Sequence, residues 1–357
     1  MPCRPAISSH SLGRACVHDM PEKLDQAAKN GLDIELFYED LEYVAKSFPG
    51  GVVPHNLLAA ANIIRALCEE RGIVVVCLQP FQHYEGLRDR RRHEQKVDEM
   101  RLWIVLAQIL GTNLIAIPST SLGEDEMSGD LDLIVSDLRK VADLGAPYGM
   151  QFAYESLCWA TYCDVWERSW EIVQKVDRPN FGICFDTFNM AGRVYADPAA
   201  PTRRTPNAAA DMAASLQRLV ETVDVEKIKF LQVVDAEYLD EVLQPGHKYY
   251  DPAQPARMSW SRNCRLFYGE EDRGAYLPVK AILHALLVDL RFEGWVSAEL
   301  FSRSLFQPDP SVPAEHARRA AESWKKIVRD FDLSEPVQLQ KARVPEPYLQ
   351  EQVRAQL

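Results

Sequence analysis

Eight short apolar segments recur along the chain, and amphipathic stretches separate most of them. The segments are apolar on both faces, which indicates strands that are buried on both sides of a parallel sheet. A strand followed by a helix, repeated eight times, is typical of a closed (β/α)8 TIM barrel. The predicted strands are Ala6–Leu12, Asp33–Phe37, Val74–Phe81, Leu114–Thr120, Gln151–Ser156, Phe181–Phe188, Lys229–Ala236 and Gly294–Phe301.

The clearest predicted helices have apolar residues at helical spacing. They are Leu57–Arg71, His93–Leu110, Leu131–Leu144, Trp166–Val176 and Ala208–Val223. Four glycines stand where predicted helices should end, and we expect a left-handed cap at each. They are Gly31, Gly72, Gly111 and Gly145. A doubly wound open sheet is the alternative fold, but no glycine-rich nucleotide-binding motif follows any predicted strand.

Composition is ordinary for a globular protein with a sizeable core. The chain has 357 residues, 47% of them hydrophobic and 26% charged. We interpret residues 1–333 as a single catalytic barrel domain. Residues 334–357 mix Pro, Gln and charged residues with few apolar anchors, so we expect a flexible tail there.

The charge and the cysteines narrow the choice of partners and compartment. A net charge of −12 disfavours nucleic acid and anionic membranes as partners. No stretch approaches the roughly 18 apolar residues of a membrane-spanning helix. Eight cysteines without a Cys-x-x-Cys pair indicate reduced thiols in a cytoplasmic protein. We therefore expect a small-molecule substrate; the oligomeric state is not indicated.

Four acidic or amide residues each close one of the last four predicted strands. They are Glu155, Asp186, Gln232 and Glu299. Burying one such group without a partner costs on the order of several kcal/mol. Because the strand ends of a barrel meet at one mouth, a divalent cation is the natural shared partner. Oxygen ligands favour Mg²⁺ or Mn²⁺ over a soft metal.

A simpler interpretation exists for any one of these residues, namely a helix N-cap or a paired core carboxylate. Four of them at equivalent places in consecutive repeats favour the metal site. Asn189 lies three residues after Asp186. It can reach the same site or cap the next helix.

A long insert, Glu237–Leu277, separates the seventh and eighth predicted strands. Loops of this length in compact domains are usually functional. The insert contains Arg262 and Arg265, and a guanidinium there can hold a substrate carboxylate through two hydrogen bonds. The alternative is that they are solvated loop arginines.

The histidines nearest to predicted strand ends are His10, His83 and His247. A histidine can serve as a general acid or base at neutral pH. We favour a structural or exposed position for each over a catalytic role.

Several segments resemble the fungal 3-dehydroshikimate dehydratases of quinate catabolism, which are xylose isomerase-like barrels. The resemblance covers roughly residues 5–330. It is carried by Ile7–Arg14, Glu35–Glu42, Cys77–Gly86, Tyr154–Trp159, Trp166–Trp170, Cys184–Pro198, Gln232–Glu237 and Tyr249–Pro278. The chain departs from the family pattern at His10, where members usually carry an uncharged residue, and in a second strand that is one residue shorter.

The resemblance implies a metal-dependent loss of water that converts 3-dehydroshikimate to protocatechuate. It places the family's metal ligands on Glu155, Asp186, Gln232 and Glu299, with Mg²⁺, Mn²⁺ or Co²⁺ as the cation. The reaction needs a base and an acid, for which Glu35, Asn189 and a histidine near the mouth are the candidates.

Three other classes of protein compete with this activity. A metal-dependent sugar or sugar phosphate isomerase or epimerase on the same barrel is the alternative function. A non-catalytic binding barrel is disfavoured because it has no need of buried carboxylates. An endonuclease of the same superfamily is disfavoured because it needs several zinc-binding histidines and a basic surface.

Overall fold

Eight parallel strands close into a barrel in a computed structural model that describes residues 2–333. They are β1 Arg4–Ser8, β2 Asp33–Phe37, β3 Val75–Gln79, β4 Leu114–Pro118, β5 Gln151–Glu155, β6 Phe181–Asp186, β7 Ile228–Gln232 and β10 Trp295–Ala298. Their order around the barrel is β1–β10–β7–β6–β5–β4–β3–β2. The predicted closed barrel is confirmed, and the open sheet is wrong. The predicted tail, residues 334–357, lies outside the described residues.

Helices surround the barrel and fill the connections. They are α1 Met20–Lys29, α2 Tyr38–Lys46, α3 Pro54–Arg71, α4 Arg90–Leu110, α5 Leu131–Gly145, α6 Trp166–Val176, α7 Thr187–Val194, α8 Ala208–Thr222, α9 Ala256–Cys264, α10 Val279–Leu283 and α11 Val312–Asp330. Within residues 2–333, none of them combines the length and the apolar character that crossing a membrane requires.

Two local predictions need correction. The first strand ends at Ser8, and residues 9–12 form a 3₁₀ turn that carries His10. Gly145 is not a left-handed cap, because α5 continues through it into a 3₁₀ turn at Ala146–Tyr148. The left-handed residue follows that turn at Gly149, with φ 68°.

Side-chain alternation explains why the polar strand ends point inward. A small apolar cluster of Ala6, Val76, Cys77, Leu114, Ala116, Ala153, Cys184 and Phe230 is separate from the main core. Five barrel strands carry a cluster member two positions before a polar residue: Ala6 before Ser8, Cys77 before Gln79, Ala153 before Glu155, Cys184 before Asp186 and Phe230 before Gln232. Residues two apart share a face of a strand. The polar groups therefore lie on the face of this cluster, one layer nearer the C-terminal mouth.

The insert between β7 and β10 is anchored at both ends. β8 Asp235–Ala236, directly before the insert, pairs with β9 Arg265–Leu266 inside it as a two-stranded antiparallel ribbon. The buried Asp235 carboxylate accepts hydrogen bonds from the backbone N–H groups of Ala236, Tyr276 and Leu277. These bonds close the insert where it returns toward β10.

A buried ion pair joins the insert to α11. Arg319 of α11 donates from Nε and Nη2 to the two oxygens of Glu270, at 2.7 and 2.8 Å. Glu270 also accepts from the backbone N–H of Phe267. Paired and fully bonded, this carboxylate avoids the cost of a lone buried charge.

A second buried network supports the 3₁₀ turn after β1. Lys23 of α1 is fully buried, and its Nζ lies 2.5 Å from Asp40 Oδ1. Asp40 Oδ2 accepts from the Ser9 hydroxyl, which itself accepts from the backbone N–H of Phe37. The turn is thus tied to α1, to α2 and to the end of β2.

His316 of α11 holds the same turn from the other side. Its Nδ1 lies 2.7 Å from the carbonyl oxygen of Ser11, and its Nε2 lies 3.0 Å from the Ser304 hydroxyl. Burial lowers the pKa of His316 to about 4, and the nearby Arg319 acts in the same direction. The imidazole is therefore neutral in the fold at neutral pH, with Nδ1 donating to Ser11.

We expect His316 to make the fold sensitive to acid. Its folded pKa is below its unfolded value, so its contribution to stability is complete above about pH 6.5 and is lost as the pH falls toward 4. The loss amounts to at most about 3 kcal/mol. In His316→Asn the amide can still donate to Ser11 but does not titrate. Denaturant unfolding from pH 7.5 to 4.5 should therefore show a steeper loss for the parent protein, and parallel profiles would contradict this role.

Candidate active site

Three buried carboxylates meet at the C-terminal mouth of the barrel. Glu155 ends β5, Asp186 ends β6 and Glu299 follows β10 by one residue. One oxygen from each lies within 4.8 Å of the others. They converge because β5, β6, β7 and β10 are consecutive neighbours in the barrel, and parallel strands deliver their last residues to one edge.

Arg265 places a cation against this cluster. Its Nη1 donates to Asp186 Oδ2 at 2.7 Å and to Glu299 Oε2 at 2.9 Å, and its Nε donates to the Ser261 hydroxyl. The guanidinium also packs against the rings of Phe188 and Phe301. Burial alone would lower the pKa of Arg265, but the surrounding carboxylates raise it, so the group stays charged.

One arginine does not balance the negative charge here. Burial raises the pKa of Glu155 and of Glu299 well above the usual range of a carboxyl group, and for Glu155 the charge of Asp186 adds to the effect. An additional positive charge would relieve both the burial and the repulsion. The donor set is made of hard oxygen atoms. The acidic cluster of Glu155, Asp186 and Glu299 could therefore hold a metal ion.

Gln232 ends β7 beside these carboxylates, and Glu35 of β2 holds it. The Gln232 Nε2 donates to Glu35 Oε1 at 2.7 Å, and the Ser297 hydroxyl donates to Glu35 Oε2. Gln232 Oε1 is left as an acceptor, 3.2 Å from the Sγ of Cys184. Burial raises the pKa of Glu35 to about 7, although both hydrogen bonds act against that shift.

Two amides orient the carboxylates. Asn189 of α7 donates from Nδ2 to Glu155 Oε1 at 2.7 Å and to Asp186 Oδ2 at 3.1 Å, while its Oδ1 accepts from the backbone N–H of Cys158. Gln79 donates from Nε2 to Glu299 Oε1 at 2.9 Å. Asn189 thus reaches the cluster and does not cap α7, a role that the Asp186 carboxylate takes.

A cavity of about 600 Å³ opens onto the cluster. Glu155, Glu299 and Arg265 line it, whereas Glu35 and Asn189 do not. Arg262, in the last turn of α9, lies on its wall, and its Nη1 donates to Gln254 Oε1 at 2.6 Å. The two arginines predicted to hold the substrate carboxylate therefore lie at different depths in the cavity. Arg265 is buried among the carboxylates, and Arg262 is exposed.

The three histidines are placed differently. His10 and His83 line the cavity. His247 lies in the insert away from it, with Nδ1 accepting from the backbone N–H of Tyr249. Gln79, Arg14 and Glu39 also line this cavity, and none of them was among the predicted site residues. For Gln79 a signal existed, since it closes an apolar strand in the same way as the four residues already selected.

Comparisons of this chain with protein families and with known proteins agree on the family to which it belongs. The xylose isomerase-like TIM barrel family matches residues 24–327. A 3-dehydroshikimate dehydratase of Neurospora crassa is 55% identical over 341 residues, which cover 93% of this chain and 95% of that protein. A 3-dehydroshikimate dehydratase of Pseudomonas putida is 28% identical over 287 residues, which cover 79% of this chain but 36% of that longer protein.

A solved structure of the IOLI protein with a bound zinc atom superposes with a TM-score of 0.66 at 16% identity. The match covers 93% of this chain and 99% of that one, and at this identity it shows the fold alone. The family match and the Neurospora relative both extend over most of the chain. The chain belongs to the xylose isomerase-like TIM barrel family and, within it, to the family of the 3-dehydroshikimate dehydratases.

Proposed function

We propose that this protein removes water from 3-dehydroshikimate to give protocatechuate. The observation that carries the proposal is the buried carboxylate cluster at the mouth of the barrel. The chain that forms this barrel is 55% identical to the 3-dehydroshikimate dehydratase of Neurospora crassa. The cavity above the cluster has a suitable size for one substituted six-membered ring. The substrate is a small molecule, and we place the reaction in the cytoplasm, which suits eight free cysteines.

The proposal assigns Glu155, Asp186, Gln232 and Glu299 as ligands of a divalent cation, with Mg²⁺, Mn²⁺ or Co²⁺ as the candidates. When bound, such a cation supplies a Lewis acid that stabilises negative charge on a substrate oxygen. The assignment is supported by the excess of buried carboxylates over arginine. It is also supported by the orientation of the Gln232 amide: Nε2 donates to Glu35, so Oε1, which accepts only a weak bond from the Cys184 thiol, is the atom that can serve as a ligand.

The chemistry follows from the substrate. The C4 proton lies next to the C3 ketone and is therefore acidic. Its removal by a base and the loss of the C5 hydroxyl as water give a dienone, which tautomerises to the aromatic catechol. The protein must hold the ring so that C4 faces a proton acceptor and the leaving hydroxyl faces a proton donor.

Glu35 and Asn189 fit this scheme as positioning residues. Neither lines the cavity, and both use their polar atoms on other site residues. Glu35 fixes the Gln232 amide, and Asn189 fixes the Glu155 and Asp186 carboxylates. Removing either amide or carboxyl partner of a metal ligand typically costs metal affinity or activity.

The two arginines receive different tasks in the proposal. Arg262 lies on the cavity wall, and within residues 2–333 its one hydrogen-bond partner is the neutral Gln254. It is assigned to the substrate carboxylate. Arg265 lies against Asp186 and Glu299. It is assigned both to neutralise these carboxylates and to contact the substrate beside them. We propose that residues 1–333 form the single catalytic domain.

Turnover should depend on the metal. Incubation with 3-dehydroshikimate should produce the ultraviolet absorbance of a catechol, which a sugar isomerase or epimerase would not do. Exhaustive chelation should abolish this signal, and Mg²⁺, Mn²⁺ or Co²⁺ should restore it. Metal should also raise the melting temperature, because it relieves carboxylate repulsion in the folded state alone. Full turnover in a preparation shown to be metal-free by elemental analysis would overturn the assignment.

The charge of the carboxylates should matter more than their shape. Glu155→Gln and Asp186→Asn keep the side-chain volume but remove a ligand charge. We expect each to lose more activity than the roughly hundredfold that follows loss of an outer partner. Glu85→Gln is a matched control, because Glu85 is a buried carboxyl that bonds to Thr120 and Tyr154 outside the cluster. Equal rates in all three variants would remove Glu155 and Asp186 from the site.

The two arginines should respond differently to lysine. Arg262→Lys should raise KM about tenfold with kcat little changed, because a carboxylate is held equally in substrate and transition state and lysine lacks the bidentate fork. Arg265→Lys should lower kcat and metal affinity together. Arg318→Lys, on an exposed face of α11, is the control. Unchanged kinetics in Arg262→Lys would assign the carboxylate to another group.

A further inference from the structure

His10 stands on the cavity wall in an arrangement that the proposed function does not use. It is 5% exposed and lies between two aromatic rings, with centroid distances of 4.5 Å to Phe37 and 4.6 Å to Phe301. These rings leave the imidazole little freedom to rotate out of its plane. Phe301 also contacts the guanidinium of Arg265, so one aromatic ring separates His10 from the arginine that pairs with the carboxylate cluster.

A carboxylate sets which nitrogen of His10 carries the proton. Nδ1 lies 3.6 Å from Glu39 Oε2, and the other oxygen of Glu39 is paired with Arg14. Partial burial would raise the pKa of Glu39, but the contacts with His10 and Arg14 hold it at about 2. Glu39 therefore stays ionised and favours the proton on Nδ1, which leaves Nε2 as an acceptor.

The second nitrogen of His10 has no protein partner within residues 2–333. Burial lowers the pKa of His10; Glu39 and Asp40 oppose this, and Arg14 and Lys23 assist it. Together these groups keep the imidazole neutral at neutral pH. The cavity wall thus presents one fixed, uncharged acceptor between two rings.

Buried contacts hold the turn that carries His10 in place. The 3₁₀ turn that carries it is held by the Lys23–Asp40–Ser9 network on one side and by His316 on the other. Arg14, which closes the Glu39 pair, packs on Phe306. A side chain held in this way can orient a ligand with little loss of conformational entropy on binding.

The proposed function leaves one substrate group without a partner, and the following step rests on that function. The C3 and C4 oxygens of the substrate are placed at the end of the cavity where the acidic cluster lies. The carboxylate of the substrate is assigned to Arg262. The remaining polar group is the C5 hydroxyl. Its oxygen must face a proton donor as it leaves, and its own O–H can in addition donate to a neutral acceptor. We propose that His10 Nε2 accepts a hydrogen bond from the C5 hydroxyl of 3-dehydroshikimate, and that Glu39 and Arg14 position His10 for it.

The product offers a test, because protocatechuate keeps the carboxylate and both catechol oxygens but lacks the C5 hydroxyl. His10→Phe retains a ring between Phe37 and Phe301 without either nitrogen. It should lower kcat/KM for 3-dehydroshikimate roughly tenfold, the range for one lost hydrogen bond. The inhibition constant of protocatechuate should stay within about twofold. If His10 only shapes the cavity, both constants will change together, and the proposal is then wrong.

Two amide variants separate the nitrogens of His10. His10→Gln can place an amide near the position of Nε2 and should recover most of kcat/KM. His10→Asn can reach only the position of Nδ1 and should behave like His10→Phe. Equal values for these two variants would contradict a role for Nε2.

His247→Asn in the insert, away from the cavity, is the matched control, and melting temperatures will report any loss of fold. Failure of the parent protein to release a catechol would instead reject the proposed function. If the parent is active and His10→Phe has the same kcat/KM, only the role of His10 is rejected.

Discussion

Carboxylates crowded together in a place from which water is largely excluded repel one another and lose hydration. In this barrel, oxygens of Glu155, Asp186 and Glu299 lie within 4.8 Å of one another. The surrounding architecture supplies compensation: a guanidinium from Arg265 and amide donors from Gln79 and Asn189. None of these partners comes from the strand that carries its carboxylate. The fold must therefore be complete before the cluster can be satisfied.

The charged partner, Arg265, depends on the long insert. Arg265 reaches Asp186 and Glu299 from a segment that leaves the barrel after β7 and returns only at β10. That segment would be a poor platform without its two anchors, the Asp235 carboxylate and the Glu270–Arg319 pair. Through Arg319, α11 supports the segment that carries Arg265, the residue whose charge offsets the carboxylates at the mouth. Changes in α11 far from the cavity are thus coupled to the charge balance at its floor.

The elements that could be predicted from the sequence are those in which apolar residues recur at a regular spacing. Apolar segments and glycine caps indicate the barrel, because strands buried on both faces leave a continuous signal. The polar strand ends Glu155, Asp186 and Gln232 stand out against that signal, and the structure brings them together with Glu299. Their ligand roles stay predictions, as do the roles of Glu35, Asn189 and Arg262.

Other parts carry no periodic signal. Nothing in the spacing of the insert distinguishes the buried Arg265 from the exposed Arg262, because an irregular segment has no inward face until it is folded. The pair of His10 and Glu39 joins a turn to the start of a helix that follows another strand. Such contacts depend on how two loops meet, and no local pattern encodes them. The burial of Lys23 could not be predicted for the same reason, since Lys23 lies on α1 and its partner Asp40 lies on α2.

The thiols beneath the cluster bear on the choice between kinds of ion. Cys184 contacts Gln232 Oε1, and Cys77 occupies the same apolar layer. Burial, together with the neighbouring carboxylates, raises the pKa of both thiols well above the usual value. A thiol binds soft metals only after it has lost its proton. The charge that attracts a hard cation thus keeps the nearby sulfur atoms protonated, so copper(I) and other thiophilic ions gain little from cysteines that lie a few ångströms away.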